Sequence, residues 1–373
     1  MAGCVLACEV RKVMGENGGA FLYSRAQEVN EMDGSNTEFG ELKMKLPHPS
    51  SDKVSALAFS PVANFLAVSS WDKYMKIYEV DAAVGVGYGR LEYKHEFAVL
   101  CCAWSKDGLK LVSAGANKAG GVQTGLLVDL TTQQHMQIAQ HVCPIKTIKW
   151  VDNQVFCTGS WDKTVKCWDT RTPTPVLSIP VPERVYAMDL IYPFLVIGTA
   201  ERHVVAFDLT NPSKLYKWQP SPLQFQTTAI SFFMNATGYA IGSMSAVGIQ
   251  YLNKEEEQLS FSFECHREGS IINAISFHPL YGTFSTAGSD GTVNFWDKDS
   301  QRQLQGFPTV GCPISASTFN RDGTIFAYAA SYDWSAGYLP SPPGNHTVYL
   351  RRVGEEVIPE KMRRFPCPMT LGR

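Results

Sequence analysis

Short runs in which apolar residues alternate with polar or small ones recur along the whole chain, and seven of them close on an aromatic residue or Leu. These are Ser55-Ala-Leu-Ala-Phe59, Cys101-Cys-Ala-Trp104, Lys146-Thr-Ile-Lys-Trp150, Tyr186-Ala-Met-Asp-Leu190, Thr228-Ala-Ile-Ser-Phe232, Asn273-Ala-Ile-Ser-Phe277 and Ala316-Ser-Thr-Phe319. Period-two patterning in runs this short predicts half-buried β-strands. Each run is followed by a second apolar strand, a turn, and a third strand that ends in an aromatic–acid pair or something close to it. The clearest copies are Ser70-Trp-Asp-Lys-Tyr-Met-Lys-Ile-Tyr-Glu79, Ser160-Trp-Asp-Lys-Thr-Val-Lys-Cys-Trp-Asp169 and Ser289-Asp-Gly-Thr-Val-Asn-Phe-Trp-Asp297, with weaker ones at Ala200 to Asp208 and Ser243 to Tyr251. Turn residues interrupt the pattern every 8–12 residues or so, and helical periodicity is nearly absent. An all-β chain with under roughly a tenth helix is expected.

The final residues of the seven runs are separated by steps of 45, 46, 40, 42, 45 and 42 positions. A repeat of that length with a Trp-Asp ending reads as a β-propeller blade of the WD-repeat type. One four-stranded blade cannot bury both of its faces alone, so blades stack until the ring closes. Seven copies therefore predict a seven-bladed WD-repeat β-propeller over residues 51–353. Residues 1–50 form an N-terminal segment expected to supply the strand that completes the last blade, and residues 354–373 form a basic C-terminal tail.

Composition narrows the possible functions. With 45% hydrophobic and 18% charged residues the chain has ample material for a core. Its longest uncharged apolar stretches are broken by Asp189 or Pro193, so no membrane span is expected. Glu9 arrives before a hydrophobic region of signal-peptide length, which argues against secretion and makes the sequons at Asn235 and Asn345 read as chance. The ten cysteines are scattered, without a C-x-x-C pair or zinc spacing. Most fall in strand-like segments, where free Cys acts as a small hydrophobe, and a reducing compartment is expected. A formal net charge of −2 excludes binding nucleic acid through the overall field. From Arg351 onward, however, six Lys or Arg residues face three Glu.

No candidate enzyme chemistry emerges. Nucleophile elbow, H-E-x-x-H and phosphate-loop motifs are missing, and Gly85-Val-Gly-Tyr-Gly89 reads as a loop between blades one and two. Neither metal nor cofactor is expected. His48, His95, His141 and His266 each stand a few residues before a first strand, a regularity that points to structure. In such blades a His, a Ser or Thr, a turn Asp and the terminal Trp satisfy one another's buried polar atoms. The sets are His141, Thr158, Asp162 and Trp168 in blade three, and His266, Thr286, Asp290 and Trp296 in blade six. Exposed aromatic and basic residues near the blade tops, Phe263, Arg267, Trp296, Lys298 and Arg302, are candidates for a binding face.

Several stretches carry a more specific likeness: Ile138 to Trp150, Thr158 to Arg171, Pro182-Glu-Arg-Val-Tyr186, Ile191-Tyr-Pro193, Thr199-Ala-Glu-Arg202, Phe263-Glu-Cys-His-Arg267, Gly288 to Gly291, Phe295 to Asp299 and Ile325 to Trp334. In these the chain resembles the poly(A) RNA export factors of the nuclear pore (Rae/Gle type), relatives of the Bub-type spindle-checkpoint protein. The resemblance implies a non-enzymatic adaptor in mRNA export, at the nucleus and nuclear pore and shuttling to the cytoplasm. Its implied partners are a GLEBS hairpin of a phenylalanine-glycine nucleoporin and mRNA or ribonucleoprotein, with mitotic spindle proteins as a further class. A checkpoint scaffold is the second reading. Arg184, Glu201 and Arg202 are the implied hairpin contacts. Phe263, Arg267, Trp296, Lys298 and Arg302 are the implied single-stranded RNA groove, where aromatics stack bases and cations meet phosphates. The chain departs from the family pattern in three places. Ser243-Met-Ser-Ala-Val247 replaces a Glu-Gly-Arg turn and lacks its Arg. Ser300-Gln-Arg-Gln-Leu304 is less basic than usual. Gly115 to Asp129 replaces a normal turn and Trp-Asp ending, and its glycines predict a longer, mobile loop.

Overall fold

A computed structural model describes residues 21–22, 43–83, 86–116, 121–335, 337–338 and 346–363. The described strands form seven antiparallel sheets, one per repeat. Blade three shows the pattern: Ile145–Trp150 is innermost, followed outward by Val155–Ser160, Thr164–Asp169 and Pro175–Pro180. The innermost strands of neighbouring blades touch in an unbroken circuit that returns from Ile314–Phe319 of blade seven to Val54–Phe59 of blade one. The architecture is thus the seven-bladed β-propeller that the repeat predicts. Helix is confined, among the described residues, to three short 3-10 turns and Glu360–Arg363.

Burial explains why seven blades are needed. Seven apolar clusters fill the spaces between adjacent blades. Cys157, Val165 and Ile179 of blade three, for example, meet Val185, Leu195 and Val205 of blade four. Each such side chain contributes roughly 1.5–3 kcal/mol only once its neighbour blade covers it. The seam between blades seven and one is filled by Leu46, Val348 and Leu350 against Leu66 and Val80. There Lys43–Lys45 pairs with Thr347–Arg352 as the outermost strand of blade seven, so an N-terminal segment locks a C-terminal sheet. Phe21–Leu22 adds a fifth strand beside Val86–Lys94 of blade one.

Side-chain hydrogen bonds also stitch consecutive blades. Ser55 Oγ donates to the Val99 carbonyl at 2.7 Å, Thr228 Oγ1 to Ile272 at 2.6 Å, and Asn273 Nδ2 to Ile314 at 2.9 Å. The Trp104 and Trp150 indoles donate to Ala58 and Ala103, each at 2.9 Å.

Three expectations need correction. Val86 to Gly89 is not a loop but the start of the fourth strand of blade one, Val86–Lys94, where Gly87 pairs with Val80. A Cβ on Gly87 would lie 2.1 Å from Leu46 Cδ2, so the glycine admits the closing segment. In blade two, Gln123–Asp129 is a regular third strand, so the irregular part of the departure narrows to the turn before it while the terminal Trp stays missing; residues 117–120 of that turn lie outside the described residues. Lastly, Cys157 and Cys167 are not free thiols: they stand opposite each other on adjacent strands and are disulfide-bonded. Their spacing of ten gives no motif. Only the hairpin register brings them together. Residues 364–373 of the C-terminal tail, Asn345, Gly85 and most of residues 1–50 lie outside the described residues.

Candidate functional site: two ends of the propeller

Because the four strands of a blade alternate in direction, its turns sort onto two ends. The connection from one blade to the next and the turn between second and third strands share the upper end. The other two turns share the lower end.

The His-centred sets lie at the upper end. In blade three, His141 Nδ1 lies 2.8 Å from Asp162 Oδ2 and His141 Nε2 lies 2.7 Å from Thr158 Oγ1, which accepts Trp168 Nε1–H at 2.9 Å. With Asp162 ionised, Nδ1 carries the proton and Nε2 accepts from the Thr158 hydroxyl, a tautomer assigned from the network. Burial pushes the Asp162 carboxyl up, but the His141 and Thr164 hydrogen bonds win and hold it well below the usual range. Blade six repeats the arrangement: His266 Nδ1 to Asp290 Oδ2 at 3.0 Å, His266 Nε2 to Thr286 Oγ1 at 2.9 Å, and Trp296 Nε1 to Thr286 Oγ1 at 3.0 Å. There burial again opposes ionisation, and the His266 hydrogen bond outweighs it to hold Asp290 at about 2.

The other two regular histidines differ. In blade two Val128 takes the position of the terminal Trp, and the Tyr93 hydroxyl bonds Ser113 Oγ at 2.9 Å in its stead, beside His95 Nε2 at 2.8 Å. Burial pushes His95 down to about 4. Sequence reading missed Tyr93 because it belongs to the preceding blade. In blade one Val68 occupies the Ser/Thr position, opposite Lys76, and His48 instead offers its backbone carbonyl to Lys76 Nζ at 3.0 Å.

Arg184, Glu201 and Arg202 share the upper end of blade four. Arg184 precedes the innermost strand Val185–Ile191. Glu201 and Arg202 form the turn before His203–Asp208, both with left-handed backbones (φ 59° and 62°) that direct the side chains outward. All three are exposed. Arg202 Nη1 donates to the Leu223 carbonyl at 3.2 Å, which fixes its direction. Ser245 of the departing blade-five turn donates its hydroxyl to the Arg267 carbonyl at 3.0 Å. An exposed Arg267 thus borders the turn that lacks its own arginine.

The five residues of the second candidate face do not share one end. Arg267 is at the upper end, whereas Lys298 and Arg302 are at the lower end, because the third strand Val293–Asp297 runs between them. Five residues at about 3.3 Å each separate the two groups by about 16 Å. Phe263 and Trp296 do meet, with ring centroids 4.8 Å apart, but both are partly buried, and the Trp296 indole is committed to Thr286. The Lys298 ammonium lies 5.1 Å from the Phe233 ring centroid and pairs with Asp299, and its side chain is only 11% exposed. Arg302 faces Glu360 of the C-terminal helix at 3.5 Å. Sequence proximity had merged two surfaces.

Sequence reading also missed an aromatic and cationic group at the upper mouth. Trp71 of blade one stacks on Trp334 of blade seven with centroids 6.2 Å apart, and Lys53 Nζ lies 5.1 Å from the Trp71 ring. The Trp-Asp turn signature marked Trp71 as repeat, which hid its surface role. Among the described residues no group of three metal-ligating side chains occurs, and no helix is long and apolar enough to cross a membrane.

Comparison with known proteins agrees with this architecture. Residues 40–79, 90–119, 133–169 and 257–297 match the WD domain, G-beta repeat family. The poly(A)+ RNA export protein of Schizosaccharomyces pombe is 46% identical over 80% of this chain and 87% of its own length. The mRNA export factor GLE2 of Chaetomium thermophilum is 46% identical over 86% of this chain and 92% of its own. Protein Rae1 of Drosophila melanogaster is 40% identical over 91% and 99%.

Proposed function

This chain belongs to the mRNA export factor family of WD-repeat proteins, and we propose that it acts as a non-enzymatic adaptor in mRNA export, working at the nucleus and nuclear pore and shuttling to the cytoplasm. Its upper end is read as the seat for an acidic GLEBS-type hairpin of a phenylalanine-glycine nucleoporin. The observation that carries this reading is the run of exposed Arg184, Arg202 and Arg267 along one end of blades four to six. Arg267, beside the Ser245 turn, supplies the charge that the blade-five turn lacks. Exposed guanidinium groups suit acidic partners because they form forked, charge-assisted hydrogen bonds with carboxylates.

RNA belongs, on this reading, to the blade five–six flank. The Phe263–Trp296 pair offers a stacking edge, and Lys298 with Arg302 the nearby charge. Since Lys298 and Arg302 already have acidic neighbours, RNA contact there is weak and salt-sensitive.

The test is capture of the tagged full chain from nuclear extract with and without RNase, followed by titration with a GLEBS-type hairpin peptide. Recovery of a nucleoporin in both samples, with peptide affinity at least tenfold lower for Arg267→Glu, supports the adaptor. Recovery of kinetochore proteins without nucleoporins overturns it.

A further inference from the structure

Six of the seven innermost strands carry the same irregularity. A one-residue bulge falls at Ser55, Leu100, Lys146, Tyr186, Asn273 and Ser315, in each case the second residue of its strand. A bulge re-aims the side chain it carries. Since the innermost strands touch in a closed circuit, these six residues ring the upper mouth of the central channel.

Most of the ring is satisfied. Ser55 and Asn273 bond the next blade, Asn273 also reaches Asp333 Oδ2 at 2.7 Å, and Tyr186 lies against Trp161 with ring centroids 6.0 Å apart. Lys146 is different. Half-buried in the channel wall, it has no hydrogen bond or ion pair among the described residues, and burial pushes its ammonium down from the ordinary lysine value. Lys53 shares this environment: its Nζ donates to the Asp333 carbonyl oxygen at 3.0 Å, and burial first, then repulsion from Lys146, hold it at about 8.

Two further polar groups on this rim, Ser315 Oγ and Trp161 Nε1, are buried without a protein partner. Asp333, which accepts from Asn273 and from the Ser335 amide, and Asp52, which accepts from the Lys53 amide, partly offset the charge of Lys53, whereas no carboxylate does so for Lys146. An ammonium drawn partly out of water is unfavourable unless a counter-charge meets it. At the lower end that counter-charge is present, where Lys149 of the same strand meets Asp189 at 2.8 Å.

We propose that the upper channel mouth is an oxyanion site in which Lys146 and Lys53 hold a phosphate or carboxylate group, with Ser315 as an added hydroxyl donor. The site sits inside the rim, so it stands or falls independently of the hairpin reading.

The experiment is thermal unfolding of the full chain with increasing inorganic phosphate, and separately with acetate, at constant ionic strength. A ligand that binds only the folded state raises the midpoint saturably. The wild type should show that rise, Lys146→Met and Lys53→Met should lose at least tenfold in apparent affinity, and Lys149→Met should keep it. A phosphate response alone assigns the site to free phosphate; an acetate response with the same Lys146 dependence assigns it to a carboxylate carried by another chain. No saturable rise in the wild type, or an equal rise in Lys146→Met, overturns the proposal. Should Lys146→Met not fold, Lys53→Met and Ser315→Ala decide by the same criterion.

Discussion

Thr158→Val is the sharpest probe of how a blade is held. Thr158 is fully buried, and its hydroxyl stands between two polar atoms that are themselves nearly inaccessible, on His141 and Trp168, each 2% exposed. Valine keeps the shape and removes the oxygen. The Trp168 N–H then has no acceptor and His141 Nε2 no donor, and neither can turn to water. At about 1–3 kcal/mol for each of the two stranded buried groups, the loss is about 2–6 kcal/mol. Thr158→Ser restores the hydroxyl and gives up one methyl, for about 1 kcal/mol. The corresponding Thr286→Val should cost less, because the Trp296 it leaves without an acceptor is only partly buried. Equilibrium urea unfolding at pH 7, followed by tryptophan fluorescence and near-ultraviolet circular dichroism, measures all three. If Thr158→Val stayed within about 0.5 kcal/mol of wild type, or Thr158→Ser were as damaging as Thr158→Val, the reasoning from unsatisfied groups would be refuted.

Lys53 predicts an alkaline gain. Its folded-state value of about 8 lies below the ordinary 10.5 through burial and then Lys146. Between those two values the unfolded chain binds more protons, so stability rises across that window and is level above it. Lys53→Met should flatten the rise in denaturation midpoints measured at pH 7.5, 9 and 10.5. Gly115→Ala places a Cβ 2.0 Å from the Ala98 carbonyl oxygen and 2.8 Å from Val99 Cα, both backbone atoms that cannot yield cheaply. A loss of about 1–3 kcal/mol is expected by calorimetry, and a neutral result would mean that the blade-two connection relaxes. Leu46→Ala opens the seam between the last and first blades, should cost about 2–4 kcal/mol, and should speed proteolysis at the N-terminal segment.

The ring was legible because its signals are periodic. Every first strand closes on a large residue at nearly constant spacing, and the spaces between blades use those residues in the same way, as Trp104 and Trp150 show. What escaped was whatever depends on a strand's neighbour. Tyr93 replaces a missing tryptophan from the adjacent blade, Cys157 meets Cys167 only through register, and Gly87 is small because Leu46, distant in sequence, packs on it. Direction along the strand was equally invisible, since Arg267 and Lys298 are near in sequence yet occupy opposite ends of blade six.

That separation bears on the proposed function. A hairpin lying on the Arg184, Arg202 and Arg267 rim and an RNA strand at the Phe263, Trp296 and Lys298 flank would not compete for the same side chains. Substitutions about 16 Å apart without shared partners act nearly independently. Arg267→Glu should therefore weaken hairpin binding at least tenfold and leave RNA affinity within about twofold, while Lys298→Glu does the reverse. Fluorescence anisotropy of a labelled single-stranded oligonucleotide, with and without saturating hairpin peptide, tests this directly. Unchanged RNA affinity in the presence of peptide supports an adaptor that holds both ligands at once. Mutual displacement would place both on one surface and return the blade-six residues to a single site.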